Sequence, residues 1–216
     1  MHHHLGAMVS SSQVYLRADI TGIVLAGGEG RRMGGADKGL IEFHDKPMVS
    51  FAIASLRQQC ETVLVNANRN IEAYRELGVE VVTDEIGEFF GPLAGMASAM
   101  RAVATPYTLF APCDSPMVTN QLGPRLFAAL TAQDADIAVA HDGERYHPVF
   151  ALIKTSLVDS AFDFLRTGQR KIDRWFDSHA WIQVDLSDVA ASFANINRPE
   201  DRDALEAEVD KHNVGL

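Results

Sequence analysis

The sequence predicts an α/β fold: a Rossmann-like, three-layer α/β/α domain with a mostly parallel, doubly wound sheet. Three observations predict it. Short strand-like runs alternate with helix-like runs through most of the chain. The strand runs are continuously apolar rather than alternating, as in strands covered on both faces. The first of them empties into a glycine-rich basic loop, at the carboxyl edge where such sheets bind ligands.

Taken in order, Gly22 to Leu25 is a short apolar strand leading into the loop. Pro47 stands where a helix can begin, and Val49, Phe51, Ala52, Ile53 and Leu56 form a helical stripe across Met48 to Gln59. Thr62–Val65 is β-branched and short. Ile71 to Leu77 is helical and stopped by Gly78. Val79–Val82 is a strand, Leu93 to Val103 a helix, and Tyr107–Phe110 a strand running into Pro112, Cys113 and Asp114. Gln121 to Ala132 is helical; Ile137–Ala140 and Val149–Ile153 are strands joined by the turn pair Asp142-Gly143. Leu157 to Leu165 and Ile172 to Phe176 read as helices and Trp181–Leu186 as a strand. A terminal helix covers Pro199 to Lys211, with Glu200 and Asp201 in its first turn.

The chain of 216 residues fits one domain. Residues 1–18 are expected to be a tag and disordered N-terminus, because MHHHLGAMVSSS reads as an expression-tag remnant. Residues 19–211 are expected to form the single domain. The net charge of −10 argues against duplex nucleic acid and anionic membrane as partners, since both require broad basic surfaces. No apolar run approaches the roughly 18 residues that span a bilayer, and the start lacks a signal-peptide core. The expected location is therefore the cytoplasm. Cys60 and Cys113 fit no metal-ligand spacing and are expected as reduced thiols.

The stretch LAGGEGRRMGGADKGL concentrates six glycines, Arg31, Arg32 and Lys38 on an otherwise acidic molecule. Glycines let backbone amides approach an anion closely. The loop departs from the dinucleotide fingerprint G-x-G-x-x-G and lacks the G-K-[ST] of a Walker A loop, yet its composition suits a nucleoside triphosphate. Facing it, Asp114 in APCDSP is held between two prolines, and such a carboxylate suits Mg2+ shared with phosphate oxygens. Asn66 and Asp84, at other strand ends, match ribose hydroxyls or base edges. Asn195 and Asn197 bracket an apolar residue and point one way from an extended segment. Arg145 and His147, in HDGERYHP, suit a second anionic substrate if that turn faces the pocket. No Ser-His-Asp or Cys-His set can be placed from the sequence.

LAGGEGRRMGGADKGL closely resembles the molybdenum cofactor guanylyltransferases, the MobA family of the nucleotidyltransferase superfamily. VNANR at Val65–Arg69, GPLAGM at Gly91–Met96, PCDSP at Pro112–Pro116, HDGERYHP and NINRPED extend the match in order. The resemblance implies an enzyme that transfers GMP from GTP to molybdopterin cofactor with Mg2+, releasing pyrophosphate. It implies nucleotide contacts at Leu25, Ala26, Gly27, Gly28, Lys38, Asn66, Asp84 and Asp114, with Asp114 as the metal ligand. Lys38, Asp114 and Arg32 are the expected catalytic residues, and Arg145, His147, Asn195 and Asn197 the expected pterin side. Delivery proteins or chaperones of target molybdoenzymes are the implied macromolecular partners.

Two rivals stand beside this expectation. One is a different Mg-dependent enzyme on the same fold, a molybdopterin cytidylyltransferase or a sugar-phosphate nucleotidyltransferase. The strand exit Leu-Ala-Gly-Gly speaks against it, since cytidylyl relatives resemble Leu-Ala-Ala-Gly and a bare Gly27 leaves room for a purine. The other is a non-catalytic nucleotide-binding regulator, which an intact Lys38 and Asp114 disfavour.

Overall fold

The computed structural model describes residues 13–28, 37–87 and 91–213. Among these, seven strands form one sheet in the order β5-β4-β1-β6-β8-β7-β9. They are β1 (Ile20–Leu25), β4 (Thr62–Asn66), β5 (Glu80–Val82), β6 (Tyr107–Pro112), β7 (Ile137–His141), β8 (Tyr146–Lys154) and β9 (Trp181–Asp185). The pairs β1–β4, β4–β5, β1–β6 and β7–β9 are parallel; β8 is antiparallel to both β6 and β7. From β1 the chain winds outward to β5, then returns to β6 on the other flank. The reversal point of the doubly wound sheet thus lies at β1 and β6.

Alternate residues of the strands face two layers of helices. Ile20 and Val24 of β1 join one buried cluster with Val49, Ala52, Ile53 and Leu56 of α1 (Val49–Gln59) and Leu122, Leu126, Phe127 and Leu130 of α4 (Leu122–Ala132). Ile23 and Leu25 join the opposite cluster. There they meet α3 (Pro92–Ala102), α5 (Val158–Arg166) and α6 (Ile172–Phe176). Gly22 brings α1 close to the sheet: a Cβ there would stand 3.2 Å from both Cys60 Sγ and Leu56 Cβ. In α3 every residue from Leu93 to Met100 is buried, which its run of Ala, Gly and Ser permits between sheet and helices.

The expected elements are present with ends shifted by a few residues, and two findings add to them. Pro47 does not open the helix. It belongs to a two-stranded hairpin of β2 (Glu42–Phe43) and β3 (Lys46–Pro47), and α1 begins at Val49. His44 and Asp45 take positive φ at its tip, which two-residue hairpin turns require. The Val149–Ile153 run is the centre of a longer strand, Tyr146–Lys154, kinked against β7 by a register shift between Val139 and Ala140.

Two further helices are described: the short α2 (Ile71–Arg75) beside β5, and the longer terminal α7 (Pro199–Asn213). Leu205 and Val209 of α7 pack on a third small cluster of Phe43, Met48 and Ile196. Packing also begins before position 19: the Tyr15 hydroxyl donates to the Gln59 carbonyl at 2.7 Å, and Arg17 donates to the Cys60 carbonyl at 3.0 Å. Among the described residues no helix is long and apolar enough to cross a membrane.

Candidate active site

Three strand ends meet at the carboxyl edge. Leu25 is in register with Asn66 on one side and Pro112 on the other. Backbone bonds continue past the ends: Ala26 N–H donates to the Asn66 carbonyl at 2.8 Å, and Cys113 N–H to the Leu25 carbonyl at 3.0 Å. These bonds fix where each chain leaves the sheet. Between them opens a cavity of about 550 Å3, lined by Leu25, Ala26, Gly27, Gly28, Lys38, Asn66, Asp84, Asp114, Asn195 and Asn197 among others. Its size lies in the range of small-molecule sites.

Asn66 is buried and fully committed on its nitrogen side. Nδ2 donates to Asp84 Oδ1 at 2.8 Å and to the Val82 carbonyl at 3.2 Å. Asn68 grips Asp84 from the other side, through Nδ2 to Oδ2 at 2.9 Å and through Oδ1 to the Asp84 N–H at 2.8 Å. The Asp84 carboxylate is thereby held in one orientation beside the cavity. Below it runs α3, started by Gly91 at φ 84° and Pro92 at its first position.

Across the cavity the Lys38 ammonium stands 3.1 Å from Asp114 Oδ2 and 2.7 Å from Asn197 Oδ1. The segment carrying Asn197 is clamped to the end of β6. Ile196 N–H donates to the Asp114 carbonyl at 2.8 Å, and Ser115 Oγ donates to Asn195 Oδ1 at 2.6 Å. Ile196 is buried against Phe43 and Met48, so its two neighbours turn toward the cavity, as the extended spacing requires. Cys113 is also part of the lining. Burial, reinforced by the Asp114 and Asp37 carboxylates, pushes its thiol well above the usual range.

Not every expected residue reaches this cavity. His147 is buried in a different place: Nε2 pairs with Asp142 Oδ2 at 2.7 Å, and the ring stacks on Phe193 with centroids 4.9 Å apart. Arg145 is exposed, and its N–H donates to Asp142 Oδ1 at 2.8 Å. That donation, then His147, holds the Asp142 carboxyl far below the ordinary carboxylate range. The HDGERYHP turn is therefore a self-contained hairpin, with Val149 as its strand's contribution to the lining. Arg31 and Arg32 lie outside the described residues.

The sequence offered no reason to single out Gly95 or Asp37. Gly95 lies against Asn66, and a Cβ there would come within 2.2 Å of Asn66 Oδ1. Its one legible signal was the helix-opening GPLAG stretch. Asp37 is buried beneath Lys38, bonded by Tyr74 and Asn70. Among the described residues no group of three or more His, Cys, Asp or Glu could hold a metal. Asp114, a partly exposed carboxylate of the lining, has Lys38 on one oxygen. That oxygen donor set fits a hard cation such as Mg2+, which takes one or two carboxylates and completes its shell with phosphate and water.

The model of the MobA-like NTP transferase domain matches residues 22–183. A molybdenum cofactor guanylyltransferase of Shewanella baltica (strain OS155) is 44% identical over 196 residues, covering 91% of this chain and all of that protein. The protein of the same description from Shewanella loihica is 46% identical over 186 residues, covering 86% and 95%. Among solved structures, molybdopterin-guanine dinucleotide biosynthesis protein A from Archaeoglobus fulgidus superposes with a TM-score of 0.74 at 21% identity, over 88% of this chain and 99% of that one. The 2-C-methyl-D-erythritol 4-phosphate cytidylyltransferase of Thermus thermophilus superposes at 0.65 and 18% identity, over 87% and 98%. At these identities the structures share the fold.

Proposed function

The chain belongs to the MobA-like NTP transferases and, among them, to the molybdenum cofactor guanylyltransferases, and from that membership we propose how its residues divide the transfer of GMP from GTP to molybdopterin cofactor. The nucleotide half is the β1 end with Leu25, Ala26, Gly27 and Gly28, joined by Lys38, Asn66 and Asp84. The clamped Asn66–Asp84–Asn68 arrangement supports a ribose or base contact, since oriented amide and carboxylate groups bind without ordering first. The acceptor half is Asn195 and Asn197. A phosphate oxygen of the acceptor attacks the α-phosphorus of GTP, the bond from that phosphorus to the bridging oxygen breaks, and pyrophosphate leaves. Two anions must be brought together for this, and positive charge placed between them carries most of the catalysis.

One observation supports this division above the others: Lys38 reaches the metal-side carboxylate Asp114 and the acceptor-side amide Asn197 at once. Its ammonium stands where both substrates' phosphates converge. Asp114 is the residue we propose to hold Mg2+. When bound there, the cation would supply positive charge against the negative charge developing on the leaving pyrophosphate. Arg32 remains a proposed further cation for the pyrophosphate. GTP is a cytoplasmic metabolite, which supports placing the reaction there. Arg145 and His147 remain candidates for the acceptor only if the turn rearranges, and proteins delivering or receiving the cofactor remain proposed partners.

The test is pyrophosphate release from GTP on addition of molybdopterin cofactor, compared with CTP. Release with GTP that is abolished in Asp114→Ala supports the assignment. Preference for CTP would favour the cytidylyl rival, and nucleotide binding without release would favour the regulator.

A further inference from the structure

We propose that Asp37, seated on Tyr74, Asn70 and Arg69, is a positioning residue that holds Lys38 at the reacting phosphates. The inference rests on the reading of Lys38 as the cation between the two substrates.

Asp37 is a carboxylate almost wholly out of water, with its side chain 4% exposed, and it sits directly before Lys38. Burying a carboxylate is unfavourable unless it is well bonded, and this one is. Oδ1 accepts from the Tyr74 hydroxyl at 2.5 Å and from the Gly39 N–H at 3.3 Å. Oδ2 accepts from Asn70 Nδ2 at 3.0 Å and faces Arg69 Nε at 3.9 Å. The Gly39 bond caps the single helical turn Lys38–Leu40, so the side chain of Asp37 sets the backbone on both sides of Lys38.

Three features show that this seat is built. First, Gly39 makes room for it: a Cβ at that position would meet Tyr74 Oη at 2.6 Å, displacing the donor. Second, Tyr74 is wholly buried, and burial above all raises its pKa, so the phenol remains a neutral donor at every working pH. Third, Arg69 ties the seat to the other stem of the glycine loop, donating from Nη2 to the Gly28 carbonyl at 3.2 Å. The two stems, at Gly28 and Asp37, thereby share one side chain from the β4–α2 connection. Asn70, at φ 51°, is in the left-handed region that asparagine tolerates and turns its amide back to Asp37. Asp37, Gly39, Arg69, Asn70 and Tyr74 do not line the cavity, whereas Lys38 does, so the effect of the Asp37 seat on chemistry passes through Lys38.

The experiment is steady-state pyrophosphate release by the full chain carrying Asp37→Asn, Asp37→Asn with Asn70→Asp, Tyr74→Phe and Lys38→Met, alone and combined. Asp37→Asn places an amide NH2 against the Asn70 NH2; the reciprocal swap restores one carboxylate and one amide. Displacing a catalytic cation slightly lowers kcat much more than it raises KM. The expected result is a kcat fall of about tenfold or more in Asp37→Asn, with KM for GTP changed less than about threefold. The swap recovers most of the loss, and Tyr74→Phe, the milder change, shows the same split. In a Lys38→Met background Asp37→Asn produces no further loss, because the two act as a unit. A loss that persists undiminished in that background, or unchanged kcat in both Asp37→Asn and Tyr74→Phe, overturns the proposal. Full turnover in Lys38→Met instead overturns the assignment of Lys38 on which it rests.

Discussion

Asn66 and Gly95 approach so closely that no methyl fits between them: an ideal Cβ at position 95 would lie 2.2 Å from Asn66 Oδ1. Gly95→Ala therefore forces the Asn66 amide to rotate away from Asp84 and the Val82 carbonyl, its two acceptors. GTP affinity should fall about tenfold or more, the loss of one or two oriented polar contacts. Titration of the variant with GTP, alongside thermal unfolding, checks this. Unchanged affinity would remove Asn66 and Asp84 from the nucleotide site.

Gly27 differs from Gly95. A Cβ at position 27 would stand 3.5 Å from Asn66 Oδ1 and 3.6 Å from Asn68 Nδ2, ordinary van der Waals contact. The fold accepts Gly27→Ala, so its melting temperature should stay within a few degrees of the parent. A methyl there occupies the space proposed for the purine, and the ratio of GTP to CTP affinity should drop several-fold. Equal GTP binding in the variant would show that base selection lies elsewhere.

Asn197 and Arg145 separate the two placements of the acceptor. Asn197 bonds Lys38 within the cavity, whereas Arg145 is exposed on the hairpin turn. Asn197→Ala should raise KM for the pterin substrate at least several-fold while leaving GTP binding within about twofold, and Arg145→Ala should change neither. Initial rates at varied pterin concentration decide it. The reverse pattern would return the acceptor to the hairpin turn.

Burial lifts the Cys60 thiol from its ordinary value near 9 to about 12. In the unfolded chain the thiol ionises near its ordinary value, whereas in the folded chain it stays neutral until about pH 12. Its contribution to stability is intact below about pH 9 and is lost progressively as the pH rises to about 12, by at most about 1.4 kcal/mol per pH unit. Urea unfolding at pH 8 and pH 10 should show a smaller alkaline loss in Cys60→Ala than in the parent. Equal losses would mean that the thiol is not what titrates.

Much of this molecule was legible because strand ends line its cavity. Asp114, Asn66 and Asp84 each follow a short apolar run, and a parallel sheet places such positions side by side. Strand direction was not legible: the apolar run Val149–Ile153 reads the same whether its neighbours are parallel or antiparallel, and only the hairpin turn before it gives β8 away. The β2–β3 hairpin escaped notice because two-residue strands have no periodicity. The individual roles of Gly95, Asp37 and Tyr74 were not legible for a different reason. Each matters through a contact with a residue dozens of positions away, and local composition does not encode such contacts. His147 shows the converse: a histidine in a charged turn had a nearby carboxylate, Asp142, that satisfied it without any substrate.

The Ile196 to Asp114 backbone bond has a consequence for the order in which the molecule is made. Ribosomal synthesis runs from the amino end, so Leu25, Asn66, Asp84 and Asp114 all emerge before the extended segment that carries Asn195 and Asn197. The wall those two asparagines supply is the last part of the described lining to be made, and it is set only when Ile196 docks on the end of β6.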